Sequence, residues 1–256
     1  MEENVLFTVE DQVATITLNR PEKLNAVTPE MIEAIIGHVA RCNRDDAIRV
    51  VIVTGAGEKS FCAGSDIREL ESYPTPWAFR SRPDYCDAVR RLVKPSIAAV
   101  NGYAFGGGLE TAMSCDIRIA SANAQFAAPE IKLGWIGGGG MAVSLAHAVG
   151  PSNAALMILT GDPIGADQAL AWGLVSEVVA QELLLARARE IAGTIAVRAP
   201  IAAETAKLNL RAAFSMPLEK AIEYERDLQT ICFATEDAAE GRQAFKEKRT
   251  PHFRRR

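Results

Sequence analysis

Short apolar runs alternate with polar and glycine-rich breaks along the first half of the chain. Residues 5–9 and 13–18 alternate or run apolar and flank Glu10-Asp11-Gln12, which predicts a β-hairpin. Thr28 before Pro29 predicts an N-cap and a first helical residue, with a helix running to about Arg44. A β-rich run at 50–54 ends at Gly55-Ala56-Gly57, and residues 84–93 carry helical spacing that Pro95 stops. Strands follow at 97–100 and 117–120, the second fed by a helix from Leu109. Many connections therefore carry two strands per helix. That rhythm predicts an α/β fold of stacked β-β-α turns rather than a doubly wound open sheet. The turns share no sequence self-similarity, so the repeat is architectural at most.

Helices dominate beyond about residue 159. Residues 167–172 form one and residues 181–196 a longer one with apolar positions at helical spacing. Thr235 caps a last helix with Glu236 and Asp237 in its first turn, Lys246 and Lys248 near its end, and Pro251 closing it. The expected division is a spiral core over residues 1–195 and a helical region over 196–256. No long linker separates them, so the helices pack on the spiral or on a neighbouring subunit.

Residues 133–161 carry no formal charge apart from a possible one on His147, enough in length for a membrane span. Gly137 to Gly140, Gly150 and Pro151-Ser152-Asn153 break that stretch into short pieces, which predicts buried core instead. The 256 residues can bury a substantial core, and 48% hydrophobic with 23% charged residues is ordinary for a globular protein. A net charge of −4 gives no global basic field for nucleic acid or an anionic membrane. Five cysteines without metal-type spacing and three scattered histidines argue against zinc and for reduced thiols in the cytoplasm. Cys115, in an apolar helical stretch, reads as core packing. The start, Met1-Glu2-Glu3-Asn4, offers no basic flank for a signal peptide. Basic residues gather at the other end, at Lys246, Lys248, Arg249 and Arg254 to Arg256.

Candidate chemistry sits at two junctions. Phe61-Cys62-Ala63-Gly64-Ser65-Asp66-Ile67 and Asn101-Gly102-Tyr103-Ala104-Phe105-Gly106-Gly107-Gly108-Leu109-Glu110 each read as a strand passing through small residues into a helix start. Such junctions leave backbone N–H groups free, and two together could hold one developing oxyanion. Either stretch alone reads better as a tight turn or a close helix–sheet contact. Both in order, with Pro129-Glu130 downstream, form a layout suited to thioester chemistry. Glu110 would be a costly carboxylate on an otherwise uncharged helical turn unless paired or functional. Glu130 alone could be a surface residue at a helix start.

Further pieces carry a resemblance: Asn19-Arg20-Pro21-Glu22-Lys23-Leu24-Asn25-Ala26, Phe126-Ala127-Ala128-Pro129-Glu130, and Glu240-Gly241 with Ala244-Phe245. With the two junctions they resemble the crotonase superfamily, the enoyl-CoA hydratase/isomerase group, over essentially the whole chain. The resemblance implies a crotonase-type β-β-α spiral with a helical C-terminal region, assembled as a homotrimer or dimer of trimers. It implies that the N–H groups of Ser65 and Gly107 form the oxyanion hole. Lys23, Leu24, Ala26, Ala63 and Ile67 would line the coenzyme A site, with Asp66, Pro129, Trp135 and Lys248 completing the substrate set. Glu110 and Glu130 would be the catalytic carboxylates, Glu110 activating water and Glu130 supplying the α-proton. Coenzyme A would arrive within an acyl-CoA substrate, with no metal or other cofactor and no nucleic acid or membrane partner.

One segment departs from the family pattern. After Gly134 a proline-containing loop, a Gly-Gly-Thr stretch and an arginine-bearing helix are usual; here residues 135–144 read Trp-Ile-Gly-Gly-Gly-Gly-Met-Ala-Val-Ser. The acyl group therefore stays open. Residues 101–108 and 235–249 look most like carnitinyl-CoA dehydratase relatives, a weak discriminator. An enoyl-CoA isomerase, needing one carboxylate, is the rival enzyme reading. An RNA- or acyl-CoA-binding protein is the non-enzymatic one, and net acidity opposes the RNA form.

Overall fold

Asp11 and Gln12 both take left-handed backbone angles, φ 48° and 68°, as a two-residue hairpin turn requires. Strands β1 (Val5–Glu10) and β2 (Val13–Leu18) accordingly pair antiparallel, Val5 opposite Leu18. The computed structural model describes residues 3–70 and 73–256; Met1 and Glu2 of the acidic N-terminal run lie outside the described residues. Helix Pro29–Arg44 follows, with Thr28 Oγ1 accepting from the Met31 N–H at its N-cap. It buries Met31, Ile35, Val39 and Cys42, one stripe at helical spacing.

Each later turn then adds one strand to each of two sheets. β3 (Val50–Gly55), β5 (Ser96–Val100) and β7 (Ile117–Ser121) extend a large sheet, while β4 (Ser60–Cys62), β6 (Tyr103–Phe105) and β8 (Gln125–Ala127) build a small one. With β9 (Ile164–Gly165) and β10 (Glu177–Val179), the orders are β1-β2-β3-β5-β7-β10 and β4-β6-β8-β9. The crossovers are parallel; among the described residues only the opening hairpin and the β8–β9 pair run antiparallel. This is the expected β-β-α spiral.

Every residue of β3 and β5 is buried, because the large sheet is covered on both faces. Helix Leu184–Ala196 lays Leu184, Ala188, Ala192 and Ala196 on Val50, Ile52, Ile97, Ala99 and Ile119. The opposite face meets Met31, Leu109 and the rest of the main core. Two buried asparagines pin the turn between β3 and β4. Asn25 donates to Ala56 O and Ser60 O, and Asn101 donates to Gly57 O.

Helices Pro200–Ala212, Leu218–Phe233 and Glu236–Glu247 form the C-terminal region. Buried charges fasten it to the spiral. Lys207 Nζ lies 2.7 Å from Asp116 Oδ2 and donates to Lys94 O (2.8 Å), while Lys94 Nζ meets Glu204 at 2.9 Å. Arg255 reaches the same Glu204 at 2.7 Å and so ties down the C-terminal tail.

Three expectations need correction. Residues 133–161 are not uniformly core: helices Met141–Val149 and Pro151–Thr160 bury only one face, and Ile136, Val143 and Leu159 are exposed. Absence of charge does not imply burial, since apolar atoms also make up much of a protein's surface. The helix expected over 84–93 is shorter, Tyr85–Arg90, with Asp84 outside it as the N-cap. The first junction enters its helix only at Ile67, so Ser65 lies in extended chain and its N–H is freed by loop geometry.

Candidate active site

Both junctions converge. Gly64 O accepts from Val27 N–H and Asp66 N–H donates to Val27 O, so the chain is bridged on either side of Ser65. The Ser65 N–H between them has no acceptor among the described residues. Gly106 has φ 55° and ψ −126°, a conformation that only glycine adopts readily, and it turns β6 sharply into helix Gly107–Ser114. Gly107 opens that helix, and its N–H has no acceptor among the described residues. A Cβ on Gly64 would lie 3.3 Å from the Gly107 nitrogen, so the backbone just before Ser65 runs against the start of that helix.

Glu110, on the first turn of that helix, is 6% exposed. Its Oε1 accepts two backbone N–H bonds, from Gly139 at 2.7 Å and Met141 at 3.0 Å. Burial raises its pKa to about 7; the two N–H donors oppose the rise, and Glu130 and Asp84 add to it. A Cβ on Gly139 would lie 2.7 Å from Glu110 Oε2, so the loop approaches this closely only as glycine.

Glu130 stands in the 3-10 turn Pro129–Leu133, with Pro129 at its first position. It is not a surface residue in the simple sense: Oε2 is buried without a hydrogen-bond partner among the described residues. Its Oε1 lies 3.0 Å from where a Gly106 Cβ would be, against the second junction. Burial raises its pKa too, opposed by its own backbone N–H. The two carboxylates thus share one site but not one environment. One is held by two donors and the other has an orphaned oxygen.

The remaining candidates fall into groups. Lys23 ends an exposed 3-10 turn, Leu24 takes a left-handed conformation after it, and Leu24 O accepts from Ala63 N–H at 3.0 Å. Ala26 O accepts from Arg20, which also meets Asp66 at 3.4 Å, so Asp66 is engaged within the loop. Ile67 is half exposed beside it. Trp135 N–H donates to Glu130 O, and the residue is 42% exposed. Lys248 stands apart, as the left-handed C-cap of helix Glu236–Glu247, and among the described residues no bond of its side chain joins it to the site. Its neighbour Arg249 is bound to Glu240 and Glu247.

Sequence reasoning missed the wall formed by helix Tyr85–Arg90. The Tyr85 hydroxyl is 3.3 Å from Ser65 Oγ and 2.0 Å from the position a Gly107 Cβ would take. Nor did it foresee that Gly139 and Met141 hold Glu110. The glycine run at 137–140 was the only signal.

The family model described as enoyl-CoA hydratase/isomerase matches residues 8–256. The chain belongs to this family. It is 41% identical to (E)-benzylidenesuccinyl-CoA hydratase of Thauera aromatica over 98% of each chain. Its identity to short-chain-enoyl-CoA hydratase of Clostridium acetobutylicum is also 41%, over 96% of this chain and 95% of that one. Among solved structures, an enoyl-CoA hydratase from Bacillus anthracis superposes with a TM-score of 0.93 at 35% identity, covering 99% of this chain and 100% of that one. The enoyl-CoA hydratase/isomerase assignment agrees with the spiral and the helical C-terminal region described above. Among the described residues, no helix is long and apolar enough to cross a membrane.

Proposed function

We propose that this protein is an enoyl-CoA hydratase that adds water across the C2=C3 bond of a 2-enoyl-CoA thioester. The observation that carries the reading is the unlike pair Glu110 and Glu130 beside two free N–H groups. Glu110, which ionises as pH rises through about 7 and is oriented by its two donors, takes a proton from water as the oxygen attacks C3. The π electrons move towards C2 and the thioester oxygen, where the Ser65 and Gly107 N–H groups meet the developing charge. Glu130, whose buried and unpartnered oxygen favours the protonated acid, delivers a proton to C2. Water and protons are the only groups moved, so no cofactor enters. Coenzyme A belongs to the substrate, held along Lys23, Leu24, Ala26, Ala63 and Ile67.

The working form is a homotrimer or a dimer of trimers in the cytoplasm. Exposed Phe214, Leu218, Ile231, Phe233 and Phe245 on the C-terminal helices and their connection support association. Four buried thiols and a fifth, all unpaired, suit a reducing compartment.

The test is hydration of a panel of 2-enoyl-CoA thioesters, from crotonyl to longer and benzylidenesuccinyl forms, against trans-3-enoyl-CoA. Glu110→Gln and Glu130→Gln should each lower hydration by ~10²-fold or more while acyl-CoA product still binds. Turnover of trans-3-enoyl-CoA alone, with Glu110→Gln mild and Glu130→Gln severe, would establish isomerisation instead.

A further inference from the structure

Helix Tyr85–Arg90 supplies no group to the proposed proton transfers, yet it touches the site at three points. Tyr85 meets Ser65 Oγ, and Cys86 Sγ lies 3.4 Å from Gly107 O. At its far end Arg90 Nη2 donates to Gly139 O, while Nη1 donates to Asp87 Oδ1 at 2.7 Å. Gly139 is the residue whose own N–H holds Glu110 Oε1.

We propose that Arg90 is a positioning residue for Glu110: by gripping Gly139 O it keeps the Gly139 and Met141 N–H groups aimed at the carboxylate. Its catalytic consequence rests on the hydration reading, whereas its geometric consequence stands without it. The gripped carbonyl lies in four consecutive glycines, residues 137–140, which have no side chains with which to anchor themselves. Gly140 departs at φ 108°, and a Cβ there would lie 3.6 Å from Arg90 Nη2, so the guanidinium spans the bend of the loop. Arginine suits the task because its planar fork bonds Asp87 and the loop at once, which a single ammonium cannot reproduce. Its side chain is 44% exposed, so direct bonding rather than long-range charge carries the effect.

The other titratable groups facing Glu110 are Glu130 from the 3-10 turn, Asp84 from the N-cap of the Arg90 helix, and Cys86 and Tyr85 on that helix. Burial holds the thiol and the phenol neutral through the neutral range. Loosening the two N–H donors removes the groups that oppose Glu110's raised pKa, so its midpoint should move up from about 7.

The experiment follows the amide resonances of Gly139 and Met141 in the full-length protein across roughly pH 5 to 9, in the parent, Arg90→Met and Arg90→Lys. Both amides should report the Glu110 transition in the parent, with a weaker shift and a higher midpoint in Arg90→Met. Arg90→Lys should fall between, and it carries the comparison if the methionine variant does not fold. In kinetics, kcat for a short 2-enoyl-CoA should fall on the order of 10²-fold, the scale of a 1 Å misplacement, with KM nearly unchanged. The acidic limb of the pH profile should move upward. An unchanged midpoint and kcat, or a loss confined to KM, would overturn the assignment. A parent that fails to hydrate while the midpoint still moves would overturn the hydration reading and leave Arg90's role standing.

Discussion

Replacing Glu110 by glutamine should abolish most activity and yet make the protein harder to unfold in alkaline solution. The folded carboxyl holds its proton up to about 7, against an ordinary value of 4.5, because burial disfavours the charged form more than the Gly139 and Met141 donors favour it. A proton held more tightly in the folded state stabilises that state. The contribution is complete below pH 4.5 and is lost as pH rises through about 7. At 1.36 kcal/mol for each tenfold of proton affinity, the loss amounts to roughly 3 kcal/mol. Glutamine keeps an oxygen for the same two N–H groups and never ionises. Parent and variant should therefore unfold alike near pH 4, and the variant should gain on the order of 5–10 °C in Tm by pH 9. Paired thermal melts across that range, with hydration followed on the same samples, measure both quantities. A variant destabilised equally at every pH would refute the reasoning, because the carboxylate would then be a net stabilising group rather than a strained one.

Gly139→Ala should lower kcat by ~10²-fold, since its Cβ would press on Glu110 Oε2, while Gly138→Ala, with nothing within 4 Å, should stay near parental activity. Trp135→Ala should shift the chain-length profile towards longer acyl groups, each buried methylene being worth about 0.8 kcal/mol; an overlaid profile would mean that the half-exposed ring does not bound the acyl end. Asp116→Ala leaves the buried Lys207 ammonium without its anion and should cost ~3–5 kcal/mol in denaturant unfolding, with Asp116→Leu and Lys207→Met together far milder. Lys248→Ala should raise KM for CoA substrates in a salt-dependent way if this side chain meets phosphate from a neighbouring subunit. Arg249→Ala should instead loosen the last helix, because that guanidinium is already occupied by Glu240 and Glu247.

Local chemistry carried most of what the sequence disclosed. Thr28-Pro29 marks its helix start to the residue, and the hairpin at Asp11-Gln12 follows from two flanking apolar runs. Glu110 stood out because an isolated carboxylate among uncharged neighbours needs a reason. What stayed hidden depends on contacts between distant segments. Gly139 meets Glu110 across 29 residues and Arg90 meets Gly139 across 49, and no periodicity or cap signals either meeting. Residues 133–161 misled for a related reason: hydropathy records which residues can be buried, whereas the fold decides which face finds a partner. The 196–256 boundary was read from texture alone, and the pairs Lys207–Asp116 and Glu204–Lys94 show how firmly that region is joined to what precedes it.

The paired N–H groups of Ser65 and Gly107 belong to the main chain, and that has a consequence for how such a protein can change. A side-chain donor disappears with one codon; a peptide N–H persists under nearly any replacement that preserves the local path of the backbone. On the hydratase reading, thioester activation would therefore be insulated from drift, while the proton handling proposed for Glu110 and Glu130 and the shape proposed for Trp135 would remain free to vary one residue at a time. A duplicated copy of this gene could lose one glutamate and acquire a different reaction without first having to reinvent its grip on the acyl-CoA.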